Sequence, residues 1–145
     1  MGTAQHTMVT ALVEVFMTVA RRAQLVLSGT AFVVGLAGLI VARDTSFTQA
    51  RGEVLLGLGV SFNVLGALVT IALAAIALAG AALRNRFLVI VGAAGFGLAT
   101  CQVILQFGRA DNWFGSRGSN LSFCLAVTVG LAALVWLQTR EDETI

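Results

Sequence analysis

Four long stretches without a charged residue, 25–42, 54–83, 87–107 and 121–138, most narrowly limit what this chain can fold into. A helix rises 1.5 Å per residue, so about 20 residues cross a hydrocarbon core of roughly 30 Å, and each stretch approaches or exceeds that length. Inside hydrocarbon the backbone must satisfy its own hydrogen bonds, which a helix does within one segment. The chain contains no proline, so no span is expected to kink at a missing donor. At 58% hydrophobic and 11% charged residues, with a mean hydropathy of +0.93, a water-soluble fold would have too little polar surface. The expected fold is an all-α integral membrane protein: a single membrane domain over residues 1–145 that forms an antiparallel bundle of four transmembrane helices. The spans are expected near 25–42, 60–83, 87–107 and 121–138.

Residues 8–22 pose a separate problem. They are mostly apolar and end on Arg21 and Arg22, whereas a signal peptide places positive charge before its apolar run. On a helical wheel Val9, Leu12, Val13, Phe16 and Val19 share one face, and Thr10, Glu14, Thr18 and Arg21 line the other. That division predicts an amphipathic helix lying in the membrane interface. Met17, followed by Thr-Val-Ala-Arg-Arg and then a span, reads as an alternative start.

All nine basic residues are Arg, and Ala, Gly, Val and Leu dominate, a bias that GC-rich coding in a bacterium produces. The arginines lie singly or in pairs at span ends, which is a membrane-flanking pattern rather than a nucleic-acid footprint. Arg21, Arg22, Arg84, Arg86 and Arg140 fall on one side, Arg43, Arg51, Arg109 and Arg117 on the other. The Arg21-Arg22 pair and the turn Arg84-Asn85-Arg86 carry undiluted positive charge close to span ends, so both termini are expected on the cytoplasmic side of a bacterial plasma membrane. Trp136 and Trp113 then fall at the inner and outer interfaces.

The connection between the second and third spans is so short that they must form a hairpin, with residues equidistant from Asn85 at similar depth. Gly59, Asn63, Gly66, Thr70, Ala74, Ala77 and Ala81 share one side of the second span; Gly92, Gly95, Ala99, Gln102 and Gln106 share one side of the third. Small residues let backbones approach, and amides in hydrocarbon need partners. The register therefore allows two polar rungs, with Asn63 level with the neighbourhood of Gln106 and Gln102 level with position 68, between Gly66 and Thr70. The favoured reading is helix-packing glue; the alternative, a polar path or ligand site, lacks the ionisable group that pumps and proton relays use. The first span carries its own small face at Ser28, Ala31, Gly35, Gly38 and Ala42, expected to pack within the bundle.

The same register leaves residues 54–62 outside the depth of Phe107. Either the helix projects from the bilayer and packs Val54, Leu55 and Leu58 on the next loop, or it tilts strongly. A projecting apolar cap would be a docking surface for another membrane protein. The loop itself, 108–120, combines turn residues with Arg109, Asp111, Trp113, Phe114 and Arg117, the candidate docking residues; Ser119 or Asn120 is suited to cap the fourth span.

Cys101 and Cys124 fall in the outer parts of their spans, where a disulfide is conceivable, although lone cysteines in apolar spans usually serve as small hydrophobes. There is no C-x-x-C pair, and His6, the single histidine, lies outside every span. No nucleophile set, metal-ligand set or phosphate loop is present, so no catalysis, metal or cofactor is expected.

Val34-Gly-Leu-Ala-Gly-Leu-Ile40, the segment around Ser61-Phe-Asn63, and Ala110-Asp-Asn-Trp113 resemble a family of small four-span actinobacterial membrane proteins of unknown function. The resemblance implies a Gly-rich first span and a polar centre in the second. Family members tend to carry histidines in the second span; this chain has none there. The expected role is an accessory or scaffolding subunit of a larger membrane assembly, with the bilayer and other membrane proteins, or a second copy, as partners. The alternative is a small transporter or channel acting as an oligomer.

Overall fold

A computed structural model describes the backbone of residues 2–48, 50–55, 58–107, 109 and 112–142, with side chains described between residues 19 and 140 of those ranges. The order is α1 (Gly2–Val41), a 3-10 turn (Ala42–Asp44), β1 (Glu53–Val54), β2 (Ser61–Phe62), α2 (Val64–Ala82), α3 (Arg86–Gln106) and α4 (Gly118–Asp142). Four helical segments are long and apolar enough to cross a membrane: Val19–Asp44, Val64–Ala82, Arg86–Gln106 and Gly118–Arg140.

Two expectations change. The helix expected over 8–22 is not a separate element, because α1 continues through Arg21, Arg22 and Leu25 without a break. No residue in that stretch forces one: Gly and Pro are both missing between Thr3 and Ser28, so local propensity keeps the helix going where amphipathicity alone suggested a bend. At 40 residues α1 is about 60 Å long, well beyond one hydrocarbon thickness.

The second change concerns the run 54–62, whose described residues form no helix. Glu53 pairs with Phe62 and Val54 with Ser61 in a small antiparallel hairpin. The backbone NH of Leu55 donates to Val60 O at 2.8 Å, and Gly59 turns the chain at φ 68°. Gly59 tolerates the left-handed turn, and Val54, Val60 and Phe62 are compatible with strands, so the apolar run can divide into a hairpin and a shorter helix. The helix begins only at Val64, where the Asn63 side chain caps it.

Packing depends on small residues. A Cβ at Gly92 would lie 2.7 Å from the Ala77 Cβ, one at Gly80 would lie 2.7 Å from Val89 N, and one at Gly95 would collide with Leu73. In each pair the partners are nearly equidistant from Asn85, so α2 and α3 run in opposite directions along a close seam, as the register predicts. The small face of α1 is also buried: Ser28, Ala31 and Ala42 are essentially inaccessible, Gly35 abuts Thr70 and Ile71, and Gly38 abuts the Phe62 ring. One apolar cluster, including Ala77, Phe96 and Leu131, fills the middle of the molecule. A second, Val34, Ala42, Val60, Phe62 and Ala67, lies under the hairpin.

The opposite end is closed by the turn Leu83-Arg84-Asn85. Arg84 adopts φ 57° just past the end of α2, where glycine is usual, at a cost of about 1 kcal/mol. Asn85 then caps α3, accepting from Leu88 N at 3.4 Å.

Candidate functional site

The polar residues singled out by the α2–α3 register converge differently from the two expected rungs. Asn63 is fully buried. Its Oδ1 accepts from Gly66 N at 2.8 Å, and its Nδ2 donates to Trp113 O at 2.6 Å. The Trp113 NH in turn donates to Gln106 Oε1 at 3.1 Å. Asn63 and Gln106 are thus linked through the main chain of Trp113 rather than to each other. An N-cap must use its side-chain oxygen on its own helix, which leaves only the amide NH2 to reach across.

The second rung does not form. Thr70 Oγ1 donates back to Gly66 O at 2.9 Å within α2, a bond a threonine makes in any helix without a partner. Gln102 is half-buried on α3 and makes no hydrogen bond among the described residues.

The larger network lies above α2 and α4, in residues whose pairing spacing could not reveal. Asn120 Oδ1 accepts from Ser61 N at 3.1 Å while its Nδ2 donates to Ser61 O at 2.7 Å. The same oxygen accepts from Arg117 N at 3.0 Å, one turn before it. Asn120 therefore does not precede α4 as a cap; it lies in the first turn and reaches back, as the far member of a capping box does. Ser61 Oγ donates to Gly115 O at 2.8 Å, and Ser119 Oγ donates to Gly59 O at 2.6 Å. Asn112, also buried, folds the loop on itself by donating to Ser116 O at 2.6 Å and accepting from Ser116 N at 3.3 Å.

Two glycines permit this stacking. A Cβ on Gly66 would lie 2.7 Å from Phe114 O, and one on Gly52 would lie 2.5 Å from the Phe62 carbonyl carbon. Gly52 N also donates to Gly115 O at 3.2 Å. Hairpin and loop thus form one cap of neutral amides, hydroxyls and backbone, in which buried polar groups find partners. The signal in the sequence was the density of Asn and Ser at 61–63 and 112–120; the pairing was not legible.

Of the candidate docking residues, Trp113 exposes 58% of its surface, Arg109 and Arg117 are exposed, and Phe114 is half-buried. Asp111 lies outside the described residues. Phe47, Leu58 and Phe107 are also exposed on the connections at this end. Arg43 and Asp44 form a solvent-exposed pair at 3.2 Å, worth little energetically.

At the far end two unanticipated contacts tie α1 down. Arg21 Nε and Nη2 donate to Ala81 O and Ala82 O at 3.0 and 2.9 Å, satisfying the last carbonyls of α2 with a cation at its negative dipole end. Gln24 Nε2 donates to Gln138 Oε1 at 3.2 Å, and both amides are buried. Cys101 is exposed and Cys124 buried, and both are free thiols, so the disulfide left open by the sequence is not formed. Among the described residues no group of three or more His, Cys, Asp or Glu side chains could hold a metal ion. No family model, curated protein or solved structure matches the chain.

Proposed function

We propose that this chain is a non-catalytic, multi-pass protein of a bacterial plasma membrane, inserted as an antiparallel four-helix bundle with both termini cytoplasmic, and that it serves as an accessory or scaffolding subunit of a larger membrane assembly. The observation that carries the reading is the cap. Ser61, Asn63, Asn112 and Asn120 are buried polar residues held in a network that fixes the main chain of the loop, Trp113 and Arg117 included, while the side chains of those two residues stay exposed. Exposed aromatic and Arg side chains on a rigid frame are the composition of interaction hot spots, because little conformational entropy is lost when a partner covers them. The partner is another integral membrane protein whose outer surface meets the Trp113 face. The resemblance to small four-span proteins is compatible with this and supplies no activity.

Cross-linking in native membranes followed by purification in mild detergent tests the proposal. The chain is expected to carry a stoichiometric membrane-protein partner, and a Trp113→Ala, Arg117→Ala variant to lose it while retaining its fold. A chain that runs alone under these conditions overturns the scaffolding role. Cysteine substitutions in 108–120 and at the carboxyl end, probed with an impermeant maleimide, test the orientation; a labelled carboxyl end in intact cells overturns it.

The continuity of α1 favours one second reading, a small oligomeric transporter or channel. Glu14 lies on the same helix as the first span, as an intramembrane coupling group requires. Solute flux into proteoliposomes that Glu14→Gln abolishes would establish that reading over the first.

A further inference from the structure

We propose that α1 pairs in parallel with α1 of a second copy of this chain, along the face turned away from its own bundle. This rests on the membrane insertion proposed above but not on the scaffolding role. The face is periodic. Val19, Val26, Val33 and Ile40 recur at every seventh residue and expose 54%, 69%, 62% and 67% of their surface. Ala23, Thr30 and Ala37 alternate with them, exposed or half-buried, which completes a repeat of about 3.5 residues whose larger row is wholly β-branched. Gly29 flanks this seam, and a Cβ there would meet nothing within 4 Å, whereas Gly35 and Gly38 press against Ile71 and Phe62. The bundle uses one side of α1 and leaves the other open.

The same repeat runs past the bundle. Arg21 donates to the carbonyls of Ala81 and Ala82, so it is level with the end of α2. Gln24 meets Gln138, and α4 ends shortly afterwards at Asp142, which sets that end about level with Ala20. Residues 2–19 of α1 therefore continue for about 27 Å beyond the α2–α3 turn, with no other described helix beside them. In the sequence of that stretch Val9, Leu12 and Phe16 fall on the repeat set by Val19, and Thr10, Glu14 and Thr18 fall off it.

A second copy supplies the matching surface at every level. Inserted in the same sense, it carries its own α1 at the same depth, inside the hydrocarbon and beyond it, and a two-fold axis parallel to the helices closes the contact. No charged residue lies on the seam from Val9 to Ile40: Glu14 and Arg21 are on the other side of the helix, and Arg22 flanks the seam. Two identical copies thus meet without like charges opposed. The seam is about 47 Å long, and with roughly 60–80 Å² covered at each of its ten positions every copy buries about 600–800 Å², the size of a specific interface. Lipid covers an apolar face only within the bilayer, and the unbroken helix carries this row out of it.

The test is disulfide cross-linking of the full chain in native membranes, in a Cys101→Ser, Cys124→Ala background with one cysteine introduced at a time. Val26→Cys and Val33→Cys lie on the seam; Leu98→Cys and Val129→Cys, at positions comparably exposed on α3 and α4, are the controls. Oxidation with copper phenanthroline is expected to give a product of twice the chain mass from the seam cysteines and little from the controls. Leu12→Glu with Phe16→Glu places like charges on the seam beyond the bundle, so the fold is expected to survive, as an unchanged melting temperature of the dilute monomer in detergent verifies. Association in liposomes, read by energy transfer between labelled copies, should fall roughly 100-fold in that variant. No excess of cross-linking at the seam over the controls, a seam product of any other mass, or undiminished association of the Leu12→Glu, Phe16→Glu variant each overturns the proposal. The Trp113→Ala, Arg117→Ala variant should still dimerise, which keeps this result separate from the scaffolding role. Failure of membrane insertion would show separately, as release of the chain from membranes by alkaline carbonate.

Discussion

The side-chain amide of Asn120 pairs with both main-chain groups of Ser61, accepting from its NH at 3.1 Å and donating to its carbonyl at 2.7 Å. One helix thereby presents to β2 the donor and acceptor that a neighbouring strand would present, and the outer edge of a two-stranded hairpin is satisfied without a third strand. An isolated hairpin is marginal in water, so this clasp is what keeps the cap folded.

Asn120→Ala should therefore destabilise the cap more than the helices. Both Ser61 groups would lose their partner while buried, at about 1–3 kcal/mol each before any water enters. Limited proteolysis in detergent is expected to cut the hairpin or the 112–119 loop several times faster than in the native chain, with far-ultraviolet helicity nearly unchanged. Equal cleavage rates would contradict the clasp.

Asn63 and Gln102 were alike as amides on the α2–α3 seam, and the structure separates them. Asn63→Leu loses a helix cap and leaves Trp113 O unpaired, a cost of about 2–3 kcal/mol from the two effects together. Gln102→Leu removes a half-buried amide with no partner among the described residues and should stay within about 0.5 kcal/mol of native. Unfolding in mixed micelles measures both; comparable losses would restore the polar rungs.

The α2–α3 seam makes a comparison between two glycines. Gly92→Ala places a methyl 2.7 Å from the Ala77 Cβ and 3.1 Å from its Cα, so the helices must separate, at about 1–3 kcal/mol. Gly29→Ala meets nothing within 4 Å and should be neutral or slightly stabilising. Melting temperatures of the two variants in the same detergent decide the point.

Gln24 and Gln138 should behave as a unit. Either single change to Leu leaves one buried amide without its partner, at about 1–3 kcal/mol, whereas the double change to Leu removes the need for a partner altogether. A double-mutant cycle is expected to show a double variant markedly more stable than the sum of the singles implies. Strict additivity would mean that the two amides are not coupled.

The sequence by itself determined that four helices are long and apolar enough to cross a membrane, because hydropathy and length are local properties of each segment. It also determined the α2–α3 register, since the turn at Asn85 leaves no slack and Gly92 and Gly95 mark the close side of α3. Only the tertiary structure decided the fate of residues 54–62 and the uses of Asn63, Gln106 and Asn120. The run from Val54 to Phe62 is apolar whether it forms a helix or a hairpin, and what selects the hairpin is a bond from Ser61 to a residue 59 positions away. Nor could periodicity show that Arg21 reaches Ala81, or Gln24 a partner 114 residues distant. Such polar side chains take whichever buried backbone or amide group lies within reach, and that is fixed by how the helices stack, not by the spacing along any one of them.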